Sequence, residues 1–320
     1  MDIWFGRNVV LEKGFFRNLS LRRAKLNNNL RNYIIYKVGK YIPDYIWVQL
    51  RYLQHFHRFA NLKNPRTVSE KLQWLKLYDR KTIYTIMADK FRAREYIQER
   101  IGDEYLVPLL GVWDGPDEID FDALPRQFVL KCNHNSGGGM FICRDKNNLD
   151  RDKICAGLRR ALKYNYFYES REWSYKNIKP KIICEKYLTQ KVGGKESAIT
   201  DYKFYCYGGE PQYFMYSVGE TEVFHKNHKF DMKCNSIDYL FKKKSAIDVR
   251  DICLPENMGE MINIVTELCK GFPFIRIDLY NVSGKIYFGE FTFYSGGGFI
   301  DIENEKYMLE LADKIDLSMI

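Results

Sequence analysis

The chain has 320 residues, of which 46% are hydrophobic and 16% aromatic, and it carries a formal net charge of +9. This length allows one large or two medium domains with a substantial core, and this composition excludes a disordered chain. The apolar runs are far shorter than the ~20 residues of a membrane span. The first 16 residues also lack the features of a signal peptide, which predicts a cytoplasmic protein.

The positive charge is concentrated at the start of the chain. Residues 1–60 contain 11 Lys and Arg against 3 Asp and Glu, and they are rich in Trp, Tyr and Phe. We interpret residues 1–62 as a basic, aromatic helical region whose rings pack inward while its cations stay solvated. Peripheral contact with the inner face of a membrane, or with an acidic polymer, is a compatible alternative. We expect no nucleic-acid partner.

The first part of the chain has the apolar periodicity of helices. Pro43 interrupts the first predicted helix, and either Thr67 or Ser69 is placed to cap the second. Gly102 closes the third. The predicted helices cover residues 18–60, 64–80 and 87–102, and a strand with a turn follows at 105–114.

After Pro125 the pattern changes to β-rich runs in which apolar and polar residues alternate. Helical stretches at about 150–168 and 255–271 separate some of these runs. The order of elements predicts an α+β architecture with antiparallel sheets. The predicted strands lie in QFVLKCN, GGMFICRD, KIICEKYL, DYKFYCYGGEPQYFMYSV, FIRIDLY and KIYFGEFTF.

The eight cysteines are scattered, and none forms a CxxC pair. Zinc and disulfide frameworks usually show close, regular spacing. The sequence therefore favours buried, reduced thiols.

The stretch FVLKCNHNSGGGMFI places Lys131 at the end of a strand, before a small polar and glycine-rich run. Glycines let backbone N–H groups approach an anion, and a lysine supplies a point charge for phosphate. The stretch matches neither a P-loop nor GxGxxG. A hairpin turn without a ligand is the alternative interpretation.

Other catalytic patterns are weak. The five histidines show no metal-ligand spacing, and no GxSxG elbow indicates a hydrolase. The DxD-like pairs Asp120/Asp122 and Asp150/Asp152 could suggest a sugar-nucleotide site, but both lie in turn-like contexts.

The stretch RIDLYNVSGKIYFGEFTFYSGGG combines two aromatic-rich runs with charged residues at apolar-looking positions. Alternate residues of a strand share one face. One face of the first run therefore carries Arg276, Asp278 and Tyr280, and one face of the second carries Phe288, Glu290 and Thr292.

The length of the connection decides whether the two acids meet. A five-residue connection, 281–285, would pair Tyr280 with Ile286 and place Glu290 opposite Arg276 and diagonal to Asp278. Diagonal Cβ atoms are about 7–8 Å apart, a span that two carboxylates can close around a hard cation. A four-residue loop would put the acids on opposite faces. An ordinary Arg276–Glu290 salt bridge is the open alternative.

Taken in order, several blocks resemble the TupA-like (teichuronopeptide-biosynthesis) branch of the ATP-grasp superfamily, from about Pro43 to Ile302. The resemblance implies an ATP-grasp fold, in which two α+β subdomains clasp ATP, with a helical extension at 1–62. Residues 63–125 would form its N-terminal part, and 126–320 the nucleotide-binding and catalytic domain. The blocks are NPRTVSEKLQWLKLYD, ADKFRAREYI, FVLKCNHNSGG, DYKFYCYGGEP and FGEFTFYSGGGF.

The resemblance also implies roles for individual residues. Thr292 stands where the wider superfamily usually has Asn, although a hydroxyl can still bind magnesium. The implied set is Lys90 and Lys131 at the phosphates; His134, Ser136, Gly137 and Gly138 in a flap over them; Glu185, Lys186, Tyr187 and Leu188 at adenine; Asp201 at ribose; Lys203 and Arg276 at the transferred phosphoryl group; and Asp278, Glu290 and Thr292 at Mg²⁺.

The implied activity is an ATP- and Mg²⁺-dependent carboxylate–amine ligase that joins an amine or amino acid to an acidic saccharide, such as a uronic acid of a surface polysaccharide. A glycosyltransferase, supported by the DxD pairs alone, and a nucleotide-binding protein without ligase activity are the alternatives. Glycines 296–298 are expected to leave room for an acceptor.

Overall fold

The computed structural model describes residues 37–136, 138–192, 195–197, 199–218, 226–245 and 247–320. More than half of the basic region predicted over 1–62 lies outside these residues. Within them, a helix begins at Asp44, directly after Pro43, as expected. None of the helices in these ranges is long and apolar enough to cross a bilayer.

The second helix begins with a capping box. The Thr67 hydroxyl accepts from the Glu70 N–H, and the Glu70 carboxylate accepts from the Thr67 N–H, both at 3.1 Å. Thr67, rather than Ser69, is therefore the cap. The helices are α1 (Asp44–Phe56), α2 (Val68–Tyr78), α3 (Thr82–Ala88), α4 (Ala93–Ile101), α5 (Arg151–Leu162), α6 (Phe167–Ser170), α7 (Met258–Leu268) and α8 (Glu305–Asp313).

The single helix predicted over 87–102 is wrong at its start. Helix α3 ends at Ala88 and α4 begins at Ala93, so Lys90 lies in the turn between them. The Asp89 carboxylate accepts from the N–H groups of Phe91 and Arg92. An aspartate that binds nearby N–H groups favours a helix start over a continuous helix, which explains the break.

The strands form two larger antiparallel sheets and a short ribbon, which confirms the α+β prediction. The small sheet has the order β1-β4-β2-β3, the large sheet β11-β10-β7-β8-β9, and β5 pairs with β6. The strands are β1 (Leu109–Trp113), β2 (Phe128–Cys132), β3 (Met140–Cys143), β4 (Ile182–Lys186), β5 (Gln190–Val192), β6 (Lys195–Ser197), β7 (Thr200–Tyr207), β8 (Glu210–Val218), β9 (Lys226–Asp231), β10 (Phe274–Val282) and β11 (Lys285–Thr292).

Each larger sheet has its own hydrophobic core. Phe128, Leu130 and Cys184 of the small sheet pack with Leu158 of α5. One face of the large sheet joins residues of α2, α4 and α7 in a second core. Because one face of each sheet is committed to a core, the other faces are available for polar residues.

All eight cysteines are free thiols, as predicted. Five are buried, Cys155 and Cys234 are half-buried, and Cys253 is exposed, so burial was wrongly expected for the last. Burial raises the pKa of the Cys132 thiol to about 11, which keeps it protonated and unreactive at neutral pH.

We expect Thr67→Ala to lower the free energy of unfolding by about 0.5–2 kcal/mol, because the first turn of α2 would lose its side-chain cap. Urea unfolding followed by circular dichroism measures the change. Thr82→Ala is the matched control, since Thr82 is exposed at the first position of α3. Equal midpoints for the two variants would contradict the capping role.

Candidate active site

One face of the large sheet carries charged and polar residues from three adjacent strands. On β10, Ile275, Ile277 and Leu279 are fully buried in the core, so the residues between them point to the opposite face. The register of β7, β10 and β11 places the polar residues of all three strands side by side. This charged face holds Asp201, Lys203, Arg276, Asp278, Tyr280, Glu290 and Thr292.

The hairpin between β10 and β11 differs from the predicted one. Its turn has two residues, Ser283 and Gly284, with φ of 54° and 87°, and Tyr280 pairs with Tyr287 rather than Ile286. Such positive angles at both positions suit the right-handed twist of a two-residue hairpin. An even turn alone would have put the two acids on opposite faces.

A β-bulge at Gly289 restores the alignment of the acids. Leu279 pairs with Phe288, but Asp278 pairs with Glu290, so Gly289 is the extra residue. Glu290 therefore lies directly opposite Asp278, not diagonal to it, and Phe288 lies on the buried face, contrary to prediction. A bulge shifts the side-chain alternation by one residue, which is why counting along the sequence missed it.

Arg276 is the centre of the ionic network on this face. Its Nε and Nη2 donate to the two carboxylate oxygens of Asp278, each at 2.7 Å, and Nη2 also donates to Oε1 of Glu290 at 2.8 Å. Nη1 donates to the Ser295 hydroxyl at 3.2 Å. The predicted Arg276–Glu290 salt bridge thus exists within the same cluster as the two acids.

Lys203 and Asp201 extend the network on β7. The Lys203 ammonium lies 3.0 Å from Oδ2 of Asp278 and also pairs with Asp201. Burial, together with the charge of Asp278, raises the pKa of Asp201 to about 6. One carboxylate oxygen of Asp201 is buried without a hydrogen-bond partner, which leaves an acceptor available to a ligand or cation.

The cations around Glu290 keep it ionised. Burial alone would raise the pKa of Glu290, but the charges of Lys90, Arg276, Lys203 and Lys131 outweigh it and lower the pKa to about 2. The carboxylate is therefore negative throughout the physiological range.

The two predicted phosphate lysines approach this face from different elements. The Lys90 ammonium donates to the carbonyl of Asn135 at 2.8 Å and lies 3.8 Å from Oε2 of Glu290. On the small sheet, Lys131 pairs with Oε2 of Glu185 at 2.6 Å. The two sheets and the α3–α4 turn therefore bring their charges together.

Asn133, which the sequence did not single out, holds the glycine-rich loop in place. Its side chain is fully buried, donates to Asp89 at 2.8 Å and accepts from the Lys181 N–H at 2.7 Å. The backbone N–H of Lys90 donates to the Asn133 carbonyl at 3.1 Å. One amide thus fixes the Lys90 turn to the loop after β2. The sequence signal for this contact was a short polar residue close to each phosphate lysine: Asp89 directly before Lys90, and Asn133 two residues after Lys131.

The remaining loop residues separate into interior and exposed positions. The His134 imidazole is only 3% exposed and lies 3.0 Å from the carbonyl of Tyr164. Its side chain therefore supports the loop from inside, and burial lowers its pKa; the role of His134 in a flap over the phosphates stays a prediction. Ser136 and Gly138 are exposed, and Gly137 is outside the described residues.

The residues predicted to meet adenine lie at the end of β4, beside Lys131. Glu185 pairs with both Lys131 and Arg94. The sequence did not indicate Arg94 as a residue of this site. The Lys186 N–H donates to the carbonyl of Pro108 at 2.9 Å. Tyr187 and Leu188 follow as half-buried residues outside the strand.

The residues predicted for Mg²⁺ suit a cation that is shared with a nucleotide. Asp278 and Glu290 are paired across the hairpin, and the Thr292 hydroxyl lies 3.3 Å from Oε1 of Glu290. No group of three or more His, Cys, Asp or Glu among the described residues is arranged to hold a metal by itself. Mg²⁺ commonly uses one or two carboxylates together with substrate phosphates, and this donor set fits that mode.

The DxD-like pairs have structural roles. Asp150 caps α5 through the Lys153 N–H, Asp120 accepts from the N–H groups of Asp122 and Ala123, and Asp122 pairs with Arg151. These contacts account for three of the four acids without a sugar nucleotide.

The antiparallel α+β fold and its lysine- and carboxylate-lined cluster define an ATP-grasp protein. The chain belongs to the TupA-like ATP-grasp family, whose model matches residues 70–316. This match confirms the resemblance found in the sequence. A search of curated proteins found no significant match.

Solved structures with a similar fold include D-alanine–D-alanine ligases. The Bacillus anthracis enzyme complexed with ATP is 14% identical, with a TM-score of 0.39, over 72% of this chain and 66% of that chain. The Helicobacter pylori enzyme is 13% identical, with a TM-score of 0.41, over 78% and 69%. The ATP-grasp ligase PsnB, complexed with a minimal precursor, is 11% identical, with a TM-score of 0.38, over 78% and 67%.

The chain thus spans just under two thirds of the first of these relatives. Likenesses this distant assign no substrate, and the family match alone carries the assignment.

We expect Gly289→Ala to lower the free energy of unfolding by about 1–3 kcal/mol. An added Cβ would lie 3.0 Å from the carbonyl oxygen of Asp278 and 3.3 Å from the ring of Tyr280, so the bulge would have to shift. Chemical denaturation measures the change. Gly259→Ala is the control: its Cβ would meet nothing within 4 Å at a helical position, and it should be neutral or stabilising. Equal effects would refute the tight bulge.

Proposed function

We propose that this protein is an ATP- and Mg²⁺-dependent carboxylate–amine ligase that works through an acyl phosphate. The observation that carries this proposal is the cluster in which Lys90, Lys131, Lys203 and Arg276 meet Asp278 and Glu290 between the two sheets. Phosphoryl transfer depends mainly on positioning and on stabilising charge, and this cluster provides cations for both.

The chemistry follows from the poor reactivity of a carboxylate. A substrate carboxylate oxygen attacks the terminal phosphorus of ATP, the bond to the bridging oxygen breaks, and ADP leaves. An amine then attacks the acyl carbon, phosphate leaves with the former carboxylate oxygen, and the amine loses a proton. No covalent intermediate on the protein is needed, which agrees with the absence of a nucleophile motif in the sequence.

The residues of this chain would divide the work as follows. Lys90 and Lys131 bind the phosphates, Lys203 and Arg276 stabilise the transferred phosphoryl group, and Asp201 lies where ribose would bind. Mg²⁺, held by Asp278 and Glu290 with Thr292 beside them, would neutralise phosphate charge. The loop with His134, Ser136, Gly137 and Gly138 would cover the phosphates and exclude water, which protects an acyl phosphate from hydrolysis. Backbone groups of residues 186–188 would meet adenine, with Glu185 beside them.

For the substrates, we propose an acidic saccharide, such as a uronic acid of a cell-surface polysaccharide or its precursor, and an amine or amino acid. Membership of the TupA-like branch supports this choice. A cytoplasmic location suits the use of ATP, and the basic residues near the N-terminus are compatible with contact at the inner face of the membrane.

Incubation with Mg-ATP, uronic acids and amino acids, followed by mass spectrometry, tests the reaction. A ligase must form ADP, phosphate and a product that is lighter than its two reactants by one water. Sugar transfer from a nucleotide sugar without ATP consumption would overturn the proposal. A thermal-shift measurement in which a UDP- or GDP-sugar, and not Mg-ATP, raises the melting temperature would overturn it as well.

We expect Glu290→Gln to lower kcat by roughly 100-fold or more and to remove most of the Mg²⁺-dependent stabilisation by ATP, because the amide is a weaker ligand and leaves Arg276 partly unpaired. Thermal shift with ATP, in the presence and absence of Mg²⁺, and steady-state kinetics measure both effects. Glu303→Gln is the control, since Glu303 pairs only with surface Lys244 among the described residues. Normal turnover by Glu290→Gln would contradict the magnesium assignment.

A further inference from the structure

A cavity with an empty volume of about 490 Å³, including its open mouth, lies next to the charged cluster. Its walls come from α1, α2, the segment around α6, and the glycine turn that follows β11. We call it the Arg51 cavity, and it is lined by Trp47, Val48, Arg51, Gln73, Lys76, Tyr166, Glu169, Ser170, Gly296, Gly297 and Phe299.

The glycine turn connects this cavity to the phosphoryl-transfer residues. The Ser295 hydroxyl accepts from Arg276 at 3.2 Å, and Gly296 and Gly297 follow it directly. Gly296 and Gly297 have φ of 60° and 68°, a backbone that side chains rarely adopt. The turn therefore places the cavity next to Arg276, so a ligand in the cavity would lie beside the proposed reacting centre.

Lys76 holds the shape of the cavity. Its side chain is 2% exposed, and its ammonium donates to the carbonyls of Ser170 and Gly297. The Gln73 amide also donates to the Gly297 carbonyl, at 3.1 Å. Burial lowers the pKa of Lys76 to about 8, against the opposing effect of Glu172. Helix α2 thus fixes the glycine turn, and the charge of Lys76 is balanced by Glu172.

Arg51 differs from Lys76 because its charge is not balanced. Its guanidinium donates to the Gln54 side-chain oxygen at 2.9 Å, and no carboxylate lies within 4.0 Å of it among the residues that the structure describes. Glu169, the acid among the lining residues, accepts from the Tyr164 hydroxyl. Arg51 therefore presents a planar set of donors that matches a carboxylate.

The aromatic residues of the lining indicate that the ligand also has apolar surface. Trp47, Tyr166 and Phe299 contribute ring surface to the walls, and such surfaces bury the apolar faces of a ligand, while a few polar groups orient it.

Resting on the proposed ligase function, we infer that the Arg51 cavity binds a carboxylate-bearing substrate of this enzyme, with Arg51 pairing with the carboxylate. A sugar acid and an amino acid both supply this chemistry, and the experiment separates them.

The test measures direct binding of glucuronate and of L-alanine by calorimetry, each beside a neutral counterpart, glucose and alaninamide. We expect one of the two acids to bind and its neutral counterpart to bind roughly ten- to 100-fold more weakly, because a charge-assisted bidentate pair is lost. Arg51→Ala should weaken the binding of that acid by a similar factor, and Arg51→Lys should weaken its binding less. Arg250→Ala is the matched control, since Arg250 is exposed and pairs with Asp248 of its own turn.

Equal affinities of the wild type and Arg51→Ala, equal binding of acid and neutral counterpart, or no binding of either acid would each overturn the inference. Mg-ATP stabilisation is measured on the same samples. Its retention in Arg51→Ala shows that the variant is folded. Its absence in the wild type would sink the ligase proposal, while Arg51-dependent acid binding would still establish the cavity as a carboxylate site.

Discussion

The arrangement of this site depends on the pairing of Arg276 with Asp278. Asp278 is 2% exposed, and a buried carboxylate costs several kcal/mol unless it is paired and hydrogen-bonded. Arg276 meets this requirement with two bonds to Asp278 and still reaches Glu290 and Ser295. Asp278 of β10 pairs with Lys203 of β7, so the Lys203 ammonium also contacts the Asp278 carboxylate. The charged face is therefore a consequence of sheet register as much as of residue type.

Positive and negative groups are matched around this pair. Lys90, Lys131, Lys203 and Arg276 each have a carboxylate partner among Glu185, Asp201, Asp278 and Glu290. In the proposed enzyme, Mg-ATP brings both signs of charge, so phosphates can take over the cations while the metal takes over carboxylates. Exchange of partners avoids leaving any buried charge alone. Under the proposed function, the cluster would thus suit a ligand that carries its own cation.

Much of this was predictable from local patterns. The β-rich runs marked most strands of the two larger sheets, although β9 was not predicted. The T-x-x-E pattern marked the start of α2, and the ordered blocks identified the family. Part of what failed depended on contacts between distant residues. Asp89 interrupts a helical pattern while its carboxylate binds Asn133, 44 positions away. The buried His134 side chain likewise contacts the carbonyl of Tyr164, 30 positions away. The cavity beside Arg51 joins four segments, and no periodicity could have indicated it.

The bulge at Gly289 also limits how the length of this hairpin can vary. Because the two-residue turn is combined with one extra residue, Asp278 and Glu290 lie on the same face of the sheet, as they would if the connection had an odd number of residues and no bulge. A one-residue insertion in the turn alone would rotate the whole of β11, sending Glu290 and Thr292 into the core and Phe291 towards the cations. Insertions in pairs, or one insertion offset by removal of the bulge, would keep the acids together. Related chains can therefore differ in hairpin length and still form this site, provided that the number of residues between Asp278 and Glu290, corrected for bulges, keeps the same parity.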